Sequence, residues 1–115
     1  MRLDHVQVSC PPGGEDVARA FYCDALGMIE LEKPELLKPR GGCWFRLGDA
    51  EIHVGVEQDF HPAKKAHPAL AVADLDGLAA QLAAKGYSVA WDNETIPGRR
   101  RFHTADGHGN RIEIV

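Results

Sequence analysis

The feature that most constrains this chain is an internal repeat. Strand, helix and three further strands are expected in that order, and then the same order returns. His5 is answered by His67, Gly27 by Gly86 and His53 by Glu113, each about 60 residues on. A βαβββ unit covers one sheet face with its helix and needs a partner layer for the rest. Two such units can pair about a pseudo-twofold axis, with the helices outside and the inner sheet faces enclosing a cleft. The expected fold class is therefore α+β: two βαβββ modules in a single domain over residues 1–115, module one at about 1–58 and module two at about 66–115.

Local signals place the elements. Leu3 to Ser9 alternates, with Val6 and Val8 on one face and His5 and Gln7 on the other, as a half-buried strand does. Pro11-Pro12-Gly13-Gly14 breaks it. A helix is expected from Glu15 to Leu26, with acids in its first turn and Gly27 at its C-cap. Met28 to Glu32 reads as a short strand, and Pro34 and Pro39 mark a loop. Cys43 to Leu47 and Ala50 to Glu57 read as a hairpin around Gly48-Asp49. After the connector Asp59 to Ala66, His67 to Val72 reads as a strand and Asp74 as the cap of a helix from Leu75 to Lys85. Strands follow at Tyr87 to Trp91, Arg99 to Thr104 and Arg111 to Val115, with Asp106 to Asn110 as the turn before the last.

Composition excludes some classes. No stretch approaches the roughly 20 apolar residues that span a bilayer, and MRLDHVQVS lacks the apolar region of an export signal. The three cysteines are an odd number without a C-x-x-C pair, which fits reduced thiols. A soluble, cytoplasmic protein without a membrane partner is expected. The net charge of −4 argues against nucleic acid as the main partner.

Alternation also locates the chemistry. Side chains two apart share a strand face. In four strands the face turned from the helices carries an imidazole or a carboxylate: His5, His53, His67 and Glu113. Neutral imidazole offers a nitrogen lone pair, and a carboxylate offsets a cation's charge in a poorly solvated cleft. Converging groups of this kind suit Zn, Fe, Mn, Ni or Co. His53 has three readings: a fourth ligand, a general base with an unperturbed pKa of about 6.5, or a histidine hydrogen-bonded to Glu51 or Glu57.

The segments DHVQV, FYCDALGM, HPALAVADLDGLAAQLAAKGY and RFHTADGHGNRIEIV resemble the glyoxalase / bleomycin-resistance / extradiol-dioxygenase superfamily, also called vicinal oxygen chelate, over the whole chain. The last segment, similar to the family's D-P-x-G-N-x-x-E ending, is the most specific. The resemblance implies metal ligands on the first, fifth and eighth strands, here His5, His67 and Glu113. It implies a divalent-metal enzyme acting on a small oxygen-chelating substrate, as a lyase/isomerase or as a dioxygenase. It also implies a homodimer whose clefts are completed by ligands from both chains. Two departures stand out. His53 replaces the glutamate typical of glyoxalase I proteins on the fourth strand, and Asp106-Gly107-His108 replaces Asp-Pro-aromatic.

A rival expectation is a non-catalytic protein that binds a drug or metabolite, as bleomycin-resistance proteins do. Arg101, Arg46 and Trp44 are the candidate substrate contacts. An arginine facing the cleft can clamp an anionic group in bidentate fashion. His103, by contrast, is expected to be an ordinary exposed or hydrogen-bonded strand histidine.

Overall fold

The computed structural model describes residues 1–115. The chain builds two four-stranded mixed sheets of the same topology. The first holds β1 (Val6–Cys10), β2 (Ile29–Leu31), β3 (Cys43–Leu47) and β4 (Ala50–Val56) in the order β1-β4-β3-β2. The second holds β5 (Ala69–Leu70), β6 (Ala90–Asp92), β7 (Arg101–Ala105) and β8 (Arg111–Ile114) in the order β5-β8-β7-β6. In each, the first strand pairs parallel to the last and the other pairs are antiparallel. The fold is α+β, as the repeat predicts.

Register sorts the side chains by face. Ile52 lies between Val6 and Phe45, and Val54 between Val8 and Cys43, so one face of the first sheet is apolar and buried. Phe102, Ile112 and Ile114 do the same in the second sheet. The opposite faces carry His53 and Trp44 in one sheet and Glu113 and His103 in the other.

The first helix differs from its expectation. α1 (Glu15–Arg19) widens into a π-helical stretch at Ala20–Ala25, instead of running as one α-helix to Leu26. Wide turns of this kind rotate successive side chains differently from an α-helix. Here both Phe21 and Tyr22 are fully buried: Phe21 meets the edge of Tyr87, and Tyr22 stacks on Phe45. The loop expected around Pro34 and Pro39 contains a 3-10 turn, Glu35–Arg40. Gly42, at φ +85°, brings its backbone so close to the Val54 carbonyl that no side chain would fit there.

α2 (Leu75–Ala84) starts where Asp74 was expected to cap it, the carboxylate accepting from the Gly77 amide at 2.9 Å. β5 is much shorter than the His67 to Val72 expected. Pro68 supplies no amide hydrogen to a ladder, although its carbonyl still accepts from the Glu113 amide at 3.0 Å.

Polar contacts bind the two halves. The Tyr22 hydroxyl donates to Asp106 at 2.8 Å, and the Asn110 amide nitrogen donates to the Ser9 carbonyl at 2.7 Å. The His108 ring nitrogen Nε2 donates to the Gly14 carbonyl at 2.7 Å. Asp106 Oδ1 also accepts from the amides of His108 and Asn110. The DGHGN segment therefore makes both a turn and a clasp.

Candidate metal centre

Glu113 is the hub of the second sheet's inner face. On β8 it lies opposite Ala69 on one side and His103 on the other. It is 7% exposed, a low value for a carboxylate. Its Oε2 lies 3.1 Å from His67 Nε2, and its Oε1 accepts from Arg101 at 3.0 Å. Burial would push the Glu113 carboxyl up, but Arg101 and His67 outweigh it and hold it below the usual range.

His67 has a defined orientation. Its Nδ1 lies 2.7 Å from the Lys65 carbonyl, which can only accept, so Nδ1 carries a proton. Nε2 then either donates to the carboxylate from an imidazolium or, in the neutral ring, turns its lone pair on a carboxylate oxygen. Two acceptors at that separation repel unless a proton or a metal cation lies beside them. A histidine fixed by a carbonyl on one nitrogen and free to ligate with the other is the usual arrangement at metal sites.

One donor atom each from His67, His103 and Glu113 falls within 4.8 Å of the others. His103 Nε2 is buried and has no hydrogen-bond partner. Burial lowers the His103 pKa, with Arg111 adding to the effect, and this favours the neutral, ligating form. The donor chemistry therefore fits a divalent transition metal: imidazole nitrogens supply borderline ligands and Glu113 supplies the negative charge.

The first sheet contributes a different group. His5, just ahead of β1, stacks on His53 with ring centroids 3.9 Å apart, and Trp44 stacks on His53 at 4.1 Å. His53 Nε2 lies 2.9 Å from Glu51 Oε1, and Arg46 donates to Glu51 Oε2 at 3.0 Å. The hydrogen bond from His53, followed by that from Arg46, lowers the Glu51 pKa. Since Glu51 is held as an acceptor, Nε2 carries the proton and Nδ1 is the basic atom of His53. The His5 Nδ1 lies 2.7 Å from Asp4.

The sequence-derived residues thus fall into two groups. His67 and Glu113 are in contact, with His103 beside them. His5 and His53 are in contact with each other and lie outside that trio. His5 and His67 line one cleft of about 720 Å³, which also takes in Glu51 and Leu47. Of the candidate substrate contacts, Trp44 is in the ring stack and Arg46 is bound to Glu51. Arg101 is bound to both Glu113 and Asp92, the latter at 2.8 Å. The Asp92 carboxyl is held far below the usual range by the Thr95 amide and by Arg101.

His103 is the residue that sequence reasoning undervalued. Alternation puts it on the same face as Arg101, but its pairing with Glu113 depends on the exact length of the intervening turn.

Known proteins bear on this geometry. The profile of the glyoxalase/bleomycin resistance protein/dioxygenase superfamily matches residues 2–114. A glyoxalase family protein from Bacillus anthracis is 51% identical, with a TM-score of 0.94 over 99% of this chain and 93% of that one. A lactoylglutathione lyase from Agrobacterium tumefaciens shares the fold at 19% identity, with a TM-score of 0.70 over 95% of this chain and 90% of the other. An antibiotic-binding protein from Streptomyces sp. CB03234 shares it at 22% identity, with a TM-score of 0.71 over 99% and 97%. No curated protein matches the sequence. With a matching profile over nearly its full length and a relative sharing half its residues, the chain belongs to the glyoxalase/bleomycin resistance protein/dioxygenase superfamily.

Proposed function

We propose that this protein is a divalent-metal-dependent enzyme acting on a small substrate through two neighbouring oxygens, with His5, His67 and Glu113 as metal ligands. The observation that carries this reading is the His67–Glu113 pair. A ring whose Nδ1 proton is committed to Lys65 faces a buried carboxylate at 3.1 Å. A cation beside both groups relieves that opposition. When bound, the metal supplies Lewis-acid stabilisation of an oxyanion or enolate.

The chain's own residues do the rest. Nδ1 of His53 is the proton acceptor, with Glu51 fixing the ring from the other side. Trp44 and His5 hold that ring between them and keep water from its faces. Arg101 keeps Glu113 ionised and oriented. Arg46, Trp44 and Arg101 are the proposed substrate contacts, suited to an anionic substrate.

The proposed assembly is a homodimer in which His5 of one chain meets His67 and Glu113 of its partner. The surface supports it. The chain exposes 7148 Å², against about 6,200 Å² for a folded monomer of this mass. Leu3, Ile29, Leu36 and Leu47 are among its exposed large apolar residues.

One observation favours the rival reading of a binding protein that performs no chemistry. Arg101, donating to Glu113 at 3.0 Å, already balances its charge from within the chain. Metal-reconstituted protein should be assayed for isomerisation of the thiohemiacetal of an α-ketoaldehyde and for oxygen uptake with a catechol. Turnover in either assay, abolished by His53→Gln, supports the enzyme. Tight ligand binding without turnover under every metal supports the rival.

A further inference from the structure

We propose that His103 is a fourth donor to the metal, binding through Nε2 from β7. The full set is then three imidazoles and one carboxylate. This rests on the reading that a divalent metal sits at His67 and Glu113, and extends it with a ligand that the family-type set of His5, His67 and Glu113 lacks.

Three observations carry it. First, His103 faces Glu113 directly across the β7–β8 ladder, so its ring rises beside the carboxylate on the inner face. The His67 and His103 rings meet edge to face with centroids 5.3 Å apart. Second, His103 Nε2 is buried and unpartnered, whereas nearly all buried polar nitrogens are paired. Glu113 Oε1 accepts from Arg101 and Oε2 faces the His67 ring, so neither oxygen is paired with His103. A metal ion is the partner that also satisfies the opposed His67 and Glu113. Third, the two sheets are not equivalent at this position. Trp44 pairs with His53 just as His103 pairs with Glu113, yet indole offers a proton and no lone pair. The added donor therefore belongs to the second sheet alone.

Two consequences follow. The second sheet carries His67, His103 and Glu113 on one chain, so the metal is held there before His5 reaches it. Four protein donors would also leave a bound transition metal room for a chelating substrate. A nitrogen-rich set of this kind favours Fe(II), Co(II), Ni(II) or Zn(II) over Mg(II) and Ca(II).

The test uses the intact chain with Zn(II) and Cu(II) as probes. Calorimetry with Zn(II) compares wild type with His103→Ala and with His103→Phe, which keeps a ring without donor nitrogens. Pulsed electron paramagnetic resonance with Cu(II) counts coordinated imidazoles in wild type and in His5→Ala, a substitution at an exposed position. The expected results are a loss of at least about tenfold in Zn(II) affinity in both His103 variants and two imidazoles remaining in His5→Ala. Free imidazole should restore much of the affinity lost in His103→Ala. Unchanged Zn(II) affinity, or a single imidazole in His5→Ala, overturns the proposal while leaving a metal at His67 and Glu113. If the His103 variants fail to fold, the imidazole count in His5→Ala decides alone. A wild type that binds neither metal overturns the underlying metal reading, and the fourth ligand with it.

Discussion

Arg101 and Glu113 form a largely buried ion pair, Nη1 donating to Oε1 at 3.0 Å, and the same guanidinium is anchored at its other edge by Asp92 at 2.8 Å. An arginine so engaged positions Glu113 as much as it awaits a substrate. Replacing Arg101 with Gln should weaken metal binding by about ten- to a hundredfold, the usual effect of losing a group that orients a ligand. Titration with Zn(II) measures it. Unchanged metal affinity together with weakened ligand binding would instead make Arg101 a substrate contact only.

The Tyr22 hydroxyl, buried against Asp106, should matter for stability. Tyr22→Phe is expected to cost about 1.5–3 kcal/mol in urea unfolding, the range for a hydrogen bond to a charged group. Burial, followed by the Asp106 charge, pushes the phenol pKa above its ordinary 10.0 in the folded state. A raised pKa gives stability that is full below pH 10 and declines above it, because the unfolded phenol ionises first. Wild type should therefore lose stability above pH 10 more steeply than Tyr22→Phe. Parallel pH curves for the two proteins would contradict this.

The two buried thiols should be inert in the folded protein. Cys10 and Cys43 are buried, and burial pushes the Cys43 thiol from 9.0 up to about 12. Burial also raises Cys10 and Cys23. A disulfide reagent at pH 8 should label Cys10 and Cys43 only on unfolding, when all three thiols react. Fast labelling of Cys43 in native protein would show that the core around β3 opens readily.

Much of this architecture was legible because it rests on period-two alternation and on glycine and proline punctuation. β3 runs over Cys43–Leu47 as read, α2 begins at Leu75 under its Asp74 cap, and β4 and β8 end one residue short of their expected limits. The misses have physical causes. Nothing in a helical pattern announces a π turn, yet the adjacent pair Phe21-Tyr22, both needing burial, was the available hint. β5 is short because Pro68 cannot donate, and β1 starts at Val6 instead of Leu3, so His5 precedes the strand on which it was read. Partial legibility extends to the site. Alternation indicates which face His67, His103 and Glu113 share, but not that His5 lies with His53, apart from the trio. That separation is set by how the two sheets meet, which no local pattern encodes.

Separation of the two groups leads to a mixing experiment. If one site draws His5 from one chain and Glu113 from the other, His5→Ala and Glu113→Gln proteins are each defective alone. Unfolded and refolded together, they should regain wild-type metal affinity at half of the mixed dimer's sites, because one site is then wholly wild type. No recovery, with dimers present by sedimentation, would place both ligands of a site on one chain.

Whether the protein carries a metal is decided by the metal content of protein purified without chelator or nickel resin, measured by mass spectrometry beside a His5→Ala/Glu113→Gln control. About one transition-metal ion per chain is expected in the wild type and little in the control. A wild type that is metal-free and also refuses Fe, Mn, Ni, Co and Zn on titration would contradict the metal reading, and the protein would then be better read as a binder of small molecules.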